Sequence, residues 1–120
     1  MRTIKFRGYN PKNKKWIYGY YFVNRGQHFI VQDEVATTWE DYEVKPETIG
    51  QYTGMNDKNG TEIYEGDIIR IDFVVLPGVP TKEEVVEWCA ASAKFTPIAD
   101  CGQFVIIEII GNIHKKERKE

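Results

Sequence analysis

The chain has 120 residues, 42% of them hydrophobic and 28% charged, with a formal net charge of −2. This length suits one domain that buries about two-thirds of its surface on folding, and no apolar run approaches the roughly 20 residues of a membrane span. The slightly acidic balance argues against a dedicated, strongly basic nucleic-acid binder.

Period-2 patterns dominate from the first residues. Met1-Arg2-Thr3-Ile4-Lys5-Phe6 runs straight into alternation, which predicts a half-buried first strand and leaves no apolar stretch of a signal peptide. Asn10-Pro11-Lys12-Asn13 is a polar turn: proline removes a backbone donor and asparagine favours local turn bonds. Residues 16–23 form a long aromatic and β-branched run, the composition a pleated surface accepts best. Asn24-Arg25-Gly26-Gln27 then turns the chain into residues 28–32, completing an N-terminal β-meander. Residues 33–44 read as a loop with a strand at its end, although Trp39 and Tyr42 are spaced for one helical face. Val44-Lys45-Pro46 stays extended, because the residue before proline is pushed out of the helical region.

Between Ile49 and Ile69 the chain reads IGQYTGMNDKNGTEIYEGDII. Asn59-Gly60 is a strong hairpin signal: both central residues of a type I′ turn need positive φ, which glycine adopts freely and asparagine tolerates. Glu65-Gly66-Asp67 makes a second turn, which launches a strand running from Ile68 through Phe73 towards Leu76. Thr81 and Glu84 form a T-x-x-E capping box, so a short helical turn competes there. Val85-Val86-Glu87-Trp88 is nevertheless β-rich and reads as a strand. Strands at 95–98 and 103–110 follow around Asp100-Cys101-Gly102. In the last of them Val105, Ile107 and Ile109 line one face, and Phe104, Ile106 and Ile110 line most of the other. Apolar residues on both faces predict a central or barrel strand. The expected fold is all-β with at most one short helix: a mostly antiparallel, partly open SH3-like barrel with the N-terminal meander packed against the later strands. One domain covers residues 1–114, and residues 115–120 are a charged tail.

The quoted blocks carry a resemblance. Ile4-Lys5-Phe6-Arg7, Asn13-Lys14-Lys15-Trp16, Gln51-Tyr52-Thr53-Gly54, Asp57-Lys58-Asn59-Gly60, Ile63-Tyr64-Glu65-Gly66-Asp67-Ile68 and Glu108-Ile109-Ile110-Gly111-Asn112-Ile113 resemble the YopX family, small proteins encoded mainly by bacteriophages and prophages. The resemblance spans nearly the whole chain and departs mainly in residues 33–44 and 77–84. It implies an all-β fold and a phage or prophage setting in the bacterial host cytoplasm. It brings no catalytic residues, because the family has no characterised activity.

No catalytic constellation stands out in the residues themselves. There is no G-x-S-x-G elbow, and His28 and His114 lack neighbouring acid and nucleophile patterns; the expectation is a protein that is not an enzyme and takes no cofactor. An EF-hand register would put Met55 and Gly66 where carboxylates are needed. Asp57, Glu62, Glu65 and Asp67 are acidic enough to attract Mg²⁺, but turn chemistry explains them without a metal. Cys89 and Cys101 suit reduced thiols in a cytosol.

Charge is unevenly distributed. Residues 1–32 hold seven Lys or Arg and no acid, and residues 33–67 hold ten acids against Lys45 and Lys58. Such segments either lie side by side in the fold or steer a partner. The acid-free stretch interleaves cations with aromatics, the pairing with which small β-barrels bind single-stranded nucleic acid. Lys5, Arg7, Lys14, Lys15, Trp16 and Tyr21 are the candidate residues for that role. The leading expectation is a binding module for a host or phage protein, or for a second copy of itself, with nucleic acid as the alternative partner and no membrane.

Overall fold

The alternation of the first fifty residues folds as an antiparallel sheet. β1 (Phe6–Asn10), β2 (Lys15–Asn24), β3 (Gln27–Val31) and β4 (Gly50–Asn56) lie in the order β3-β2-β1-β4. A computed structural model describes residues 4–31, 39–73, 78–91, 93–97 and 105–114. The 100–102 turn, Cys101, the expected strand residues 98, 103 and 104, and the 115–120 tail lie outside these. Contacts divide the chain into two compact units, Met1–Tyr52 and Thr53–Glu120, and β4 runs from the first into the second.

In the first unit the meander forms as expected. Asn24 pairs with Gln27 across Arg25 and Gly26, whose φ values of 55° and 78° make this a type I′ turn. β1 sets Gly8 opposite Ile17 and Phe6 opposite Gly19 on one face, and Arg7 opposite Tyr18 and Tyr9 opposite Trp16 on the other. The first of these faces is the core: Ile17, Ile30 and Val44 are buried, with Phe6, Tyr21 and Ile49 packed against them. Each such aliphatic side chain taken from water contributes about 1.5–3 kcal/mol.

The acidic stretch after residue 38 is tied to the basic first hairpin. It opens with a single 3-10 turn, Trp39–Asp41, and the strand expected at its end is one isolated bridge, Phe29 to Glu43. Asn10 is fully buried; its amide donates to the carbonyls of Glu40 and Glu43 at 3.0 and 2.8 Å, and its Oδ1 accepts from the Asn13 N–H. Lys12 pairs with Asp41 at 3.1 Å. Part of the charge asymmetry is thus opposite charges lying side by side. The same stretch covers the outer edge of β3, where Ile30 N–H donates to Tyr42 and Val44 N–H donates to His28.

In the second unit β5 (Glu62–Tyr64) lies beside β4. β6 (Asp67–Phe73), β7 (Lys82–Val85), β8 (Glu87–Cys89), β9 (Lys94–Thr96) and β10 (Val105–Asn112) follow, as a three-stranded sheet β10-β6-β7 and a two-stranded ribbon β8-β9. The core is Ile63, Ile69, Ile71, Val86, Phe95 and Ile107. The capping box at Thr81 and Glu84 starts no helix, since residues 82–85 pair with β6. The strand expected at 85–88 is split at Val86, whose backbone bonds to Gly66 and Asp67 instead.

Three sequence expectations are corrected here. Asn59-Gly60 is not a type I′ turn, because only Gly60 has positive φ, at 84°. The Asp57 carbonyl accepts from Gly60 N–H and the Asp57 N–H donates to Thr61, which gives a three-residue loop: a type I turn closed by a left-handed glycine. The Asp57 carboxylate sets that register by accepting from the N–H groups of Asn59 and Thr61 at 2.9 and 3.0 Å. Second, β10 is an edge strand, paired only with β6 among the described strands, and Ile106 and Ile110 are about 40% exposed. Third, none of the described sheets closes into a barrel. Closure needs edge strands to pair with each other, and here a loop segment occupies the edge of β3 and a turn that of β10. On β10 the occupant is the Asp57 turn: Lys58 N–H donates to Ile107, and Ile109 N–H donates to Asp57 Oδ2 at 3.1 Å.

Candidate functional site

The face of the first sheet that points away from its core is aromatic and cationic. Register places Arg7, Tyr9, Trp16, Tyr18 and Tyr20 on it, and Phe22 with Phe29 further along β2 and β3. Arg7 lies over the Trp16 ring at 4.9 Å, Lys5 over Tyr52 at 5.7 Å and Lys45 over Tyr9 at 6.0 Å. Tyr9 meets Trp16 edge-on at 5.7 Å. Cations held over ring faces are attracted by the ring quadrupole, by about 0.5–2 kcal/mol depending on burial. Arg7 is only 6% exposed, so the residue expected to face outward is folded down on Trp16.

Past this cluster the face opens to solvent. Tyr18 is 40% and Tyr20 66% exposed. Trp39, 64% exposed, stands edge-on to Phe22 and Phe29 and extends the row. Large aromatics left exposed in a row are the surface feature with functional weight, because single exposed apolar residues are ordinary.

Tyr21 is on the opposite face. Its ring packs 5.6 Å from Phe6 and parallel to His28, and its hydroxyl lies 2.8 Å from His28 Nδ1. Of the six candidate residues, Arg7 and Trp16 therefore come together with Lys5 on the same face, Lys14 is exposed in the first hairpin turn, and Lys15 is exposed at the start of β2. Tyr21 belongs to the core side. Tyr18, Tyr20 and Tyr52 were not among the six. The two-residue step from Trp16 to Tyr18 and Tyr20 was the signal that places them on its face.

Four acidic residues of the second unit, Asp57, Asp67, Glu62 and Glu108, serve the fold. Asp57 Oδ1 and Oδ2 hold three backbone N–H groups, Asp67 Oδ2 accepts from Tyr64 N–H at 2.8 Å, and Glu62 accepts from the Tyr64 hydroxyl at 2.9 Å. Glu108 receives the Arg70 guanidinium at 2.6 Å and Lys58 at 3.6 Å. The Arg70 hydrogen bond and the Lys58 charge hold its carboxyl below the usual range. Among the described residues no group of three or more His, Cys, Asp or Glu is placed to hold a metal ion. Among them no helix is long and apolar enough to cross a membrane.

A family model described as YopX protein matches residues 5–118. The chain belongs to the YopX family. No curated protein matches it. In this YopX family member the residues that carry the resemblance are largely folding devices. Gln51-Tyr52-Thr53-Gly54 sits in β4, Asp57-Lys58-Asn59-Gly60 is the turn that covers β10, and Glu65-Gly66-Asp67 is the turn bonded to Val86. Tyr52 also belongs to the aromatic face, through Lys5.

Proposed function

We propose that the chain is a non-enzymatic binding module, acting in a phage or prophage setting in the bacterial cytoplasm, and that it engages a protein through the open aromatic face of its first unit. The observation that carries this reading is the exposed row Tyr18, Tyr20 and Trp39 on one sheet face. Tyrosine and tryptophan supply large contact area at low entropy cost and dominate binding hot spots. Three cation–ring pairs along the same face pre-order its neighbours.

Single-stranded nucleic acid is the second reading, favoured by the exposed Lys14 in the hairpin turn and Lys15 at the start of β2, next to Trp16 in sequence. Burial of Arg7 and the inward position of Tyr21 remove two of the groups that reading relied on. The test is capture from infected host cells on the immobilised chain, with and without nuclease. Retention of a protein partner after nuclease, weakened tenfold or more by Tyr20→Ser, is the expected result. Capture that nuclease abolishes transfers the face to nucleic acid, and capture indifferent to Tyr20→Ser contradicts the reading.

A further inference from the structure

The second unit has an open sheet face of its own. On the outer side of β10-β6-β7, register sets Ile106 opposite Asp72, Glu108 opposite Arg70, and Arg70 opposite Glu83. Ile106 is 41% exposed beside Glu108, and Ile110, 40% exposed, follows at the bulge where the register with β6 shifts. This is an apolar pair set in a row with more acids than bases. The units carry opposite net charge: Met1–Tyr52 holds eight Lys or Arg against six Asp or Glu, and Thr53–Glu120 holds eight against twelve.

We infer that the occupant of the tyrosine face is a second copy of this chain, presenting the Ile106–Ile110 face of its second unit. The inference rests on the binding role proposed for the tyrosine face and names its partner. Charge complementarity decides the pairing. Two tyrosine faces docked on each other would oppose cation to cation, whereas the isoleucine face, with Asp72, Glu83 and Glu108 against Arg70 and Lys58, brings an excess of acid to the face that carries Lys5, Arg7 and Lys45. Strand addition is the other common route to β-protein assembly, and it is blocked at two edges, since residues 42–44 cover β3 and the Asp57 turn covers β10. Face-to-face packing of sheets about 10 Å apart is the route that uses the two exposed faces. Because the two faces differ, the contact is heterologous and propagates head to tail.

Sedimentation equilibrium of the full chain tests this with two variants that introduce a charge at exposed positions, Tyr20→Asp and Ile106→Lys. The wild-type chain is expected to gain mass with concentration, and less so at 1 M salt, where screening acts beyond about 3 Å. Each variant alone stays a monomer, because every contact needs one face of each kind. An equimolar mixture of the two restores a species of twice the monomer mass and no larger, since each partner supplies the face the other lacks. A mixture that stays monomeric overturns the inference, as does assembly that survives Ile106→Lys. If the wild-type chain is monomeric while capture of another protein still depends on Tyr20, only the self-association fails. If capture fails as well, the binding role of the face fails with it.

Discussion

Asp57→Ala is expected to lower stability by about 3 kcal/mol and the thermal midpoint by roughly 10 °C. The side chain is 8% exposed, and its carboxylate accepts from Asn59, Thr61 and Ile109. Removing it leaves three backbone donors without their acceptor, and hydrogen bonds to charged groups contribute about 1.5–3 kcal/mol each, not additively. Asp57→Asn separates the two jobs. Its Oδ1 can keep Asn59 and Thr61, while its amide nitrogen meets the Ile109 N–H donor to donor, so the turn survives and the tie to β10 is lost. Burial pushes the Asp57 carboxyl up, but the N–H groups of Ile109, Thr61 and Asn59 and the charge of Lys58 outweigh it, leaving the folded pKa below the ordinary value of 3.8. A carboxylate with a depressed folded pKa contributes fully above its unfolded pKa and loses that contribution as the pH falls through the folded one. Urea unfolding should therefore show the wild-type chain and Asp57→Ala far apart at neutral pH and converging below about pH 4. A gap unchanged at low pH would place the effect outside the carboxylate.

Gly8→Ala is expected to cost about 2–3 kcal/mol, although it adds one methyl group. Gly8 is buried in β1 opposite Ile17, and a Cβ there would stand 2.8 Å from Val44 Cβ and 2.9 Å from its Cγ1. Val44 is 2% exposed and its N–H donates to His28, so neither the side chain nor its backbone has room to retreat. The missing side chain of Gly8 is the space that lets the 42–44 segment lie on the sheet and cover the edge of β3. Val44→Ala alone costs about 1–2 kcal/mol in lost burial. The double variant should be less destabilised than the sum of the two, because the smaller residue 44 relieves part of the clash. Strict additivity in urea unfolding would show that the two residues do not meet.

The all-β class, the meander and most strands were legible because alternation is a local property, readable wherever one sheet face is dry. Turn type was less legible. Asn59-Gly60 carries the stronger type I′ signature, yet the type I′ turn formed at Arg25-Gly26. What moved it was the Asp57 carboxylate, a side-chain acceptor two residues upstream that captured the backbone first. The place of β10 was illegible for a related reason. A strand apolar on both faces reads as central, but the hydrogen bonds that occupy its outer edge come from a turn some fifty residues earlier, not from a neighbouring strand.

The candidate face was half legible. Trp16, Tyr18 and Tyr20 share one parity, and Ile17 and Tyr21 the other. Both sets are aromatic enough to be core, so periodicity alone could not say which is open. That was settled by Gly8, whose vacancy admits Val44 to the Ile17 side. Arg7 shows the converse limit: charge predicted exposure, and an aromatic neighbour across the strand drew it down.

Tyrosine-specific chemical labelling read residue by residue by mass spectrometry tests most directly which face of β2 is open and whether binding uses it. In the dilute free chain Tyr20 and Tyr18 should react first, with Tyr21 and the 2%-exposed Tyr64 protected. At assembling concentration, or with a captured partner, Tyr18 and Tyr20 should lose reactivity while Tyr21 and Tyr64 stay unchanged. Labelling of Tyr21 as fast as Tyr20 in the free chain, or undiminished labelling of Tyr18 and Tyr20 in the complex, would contradict the account.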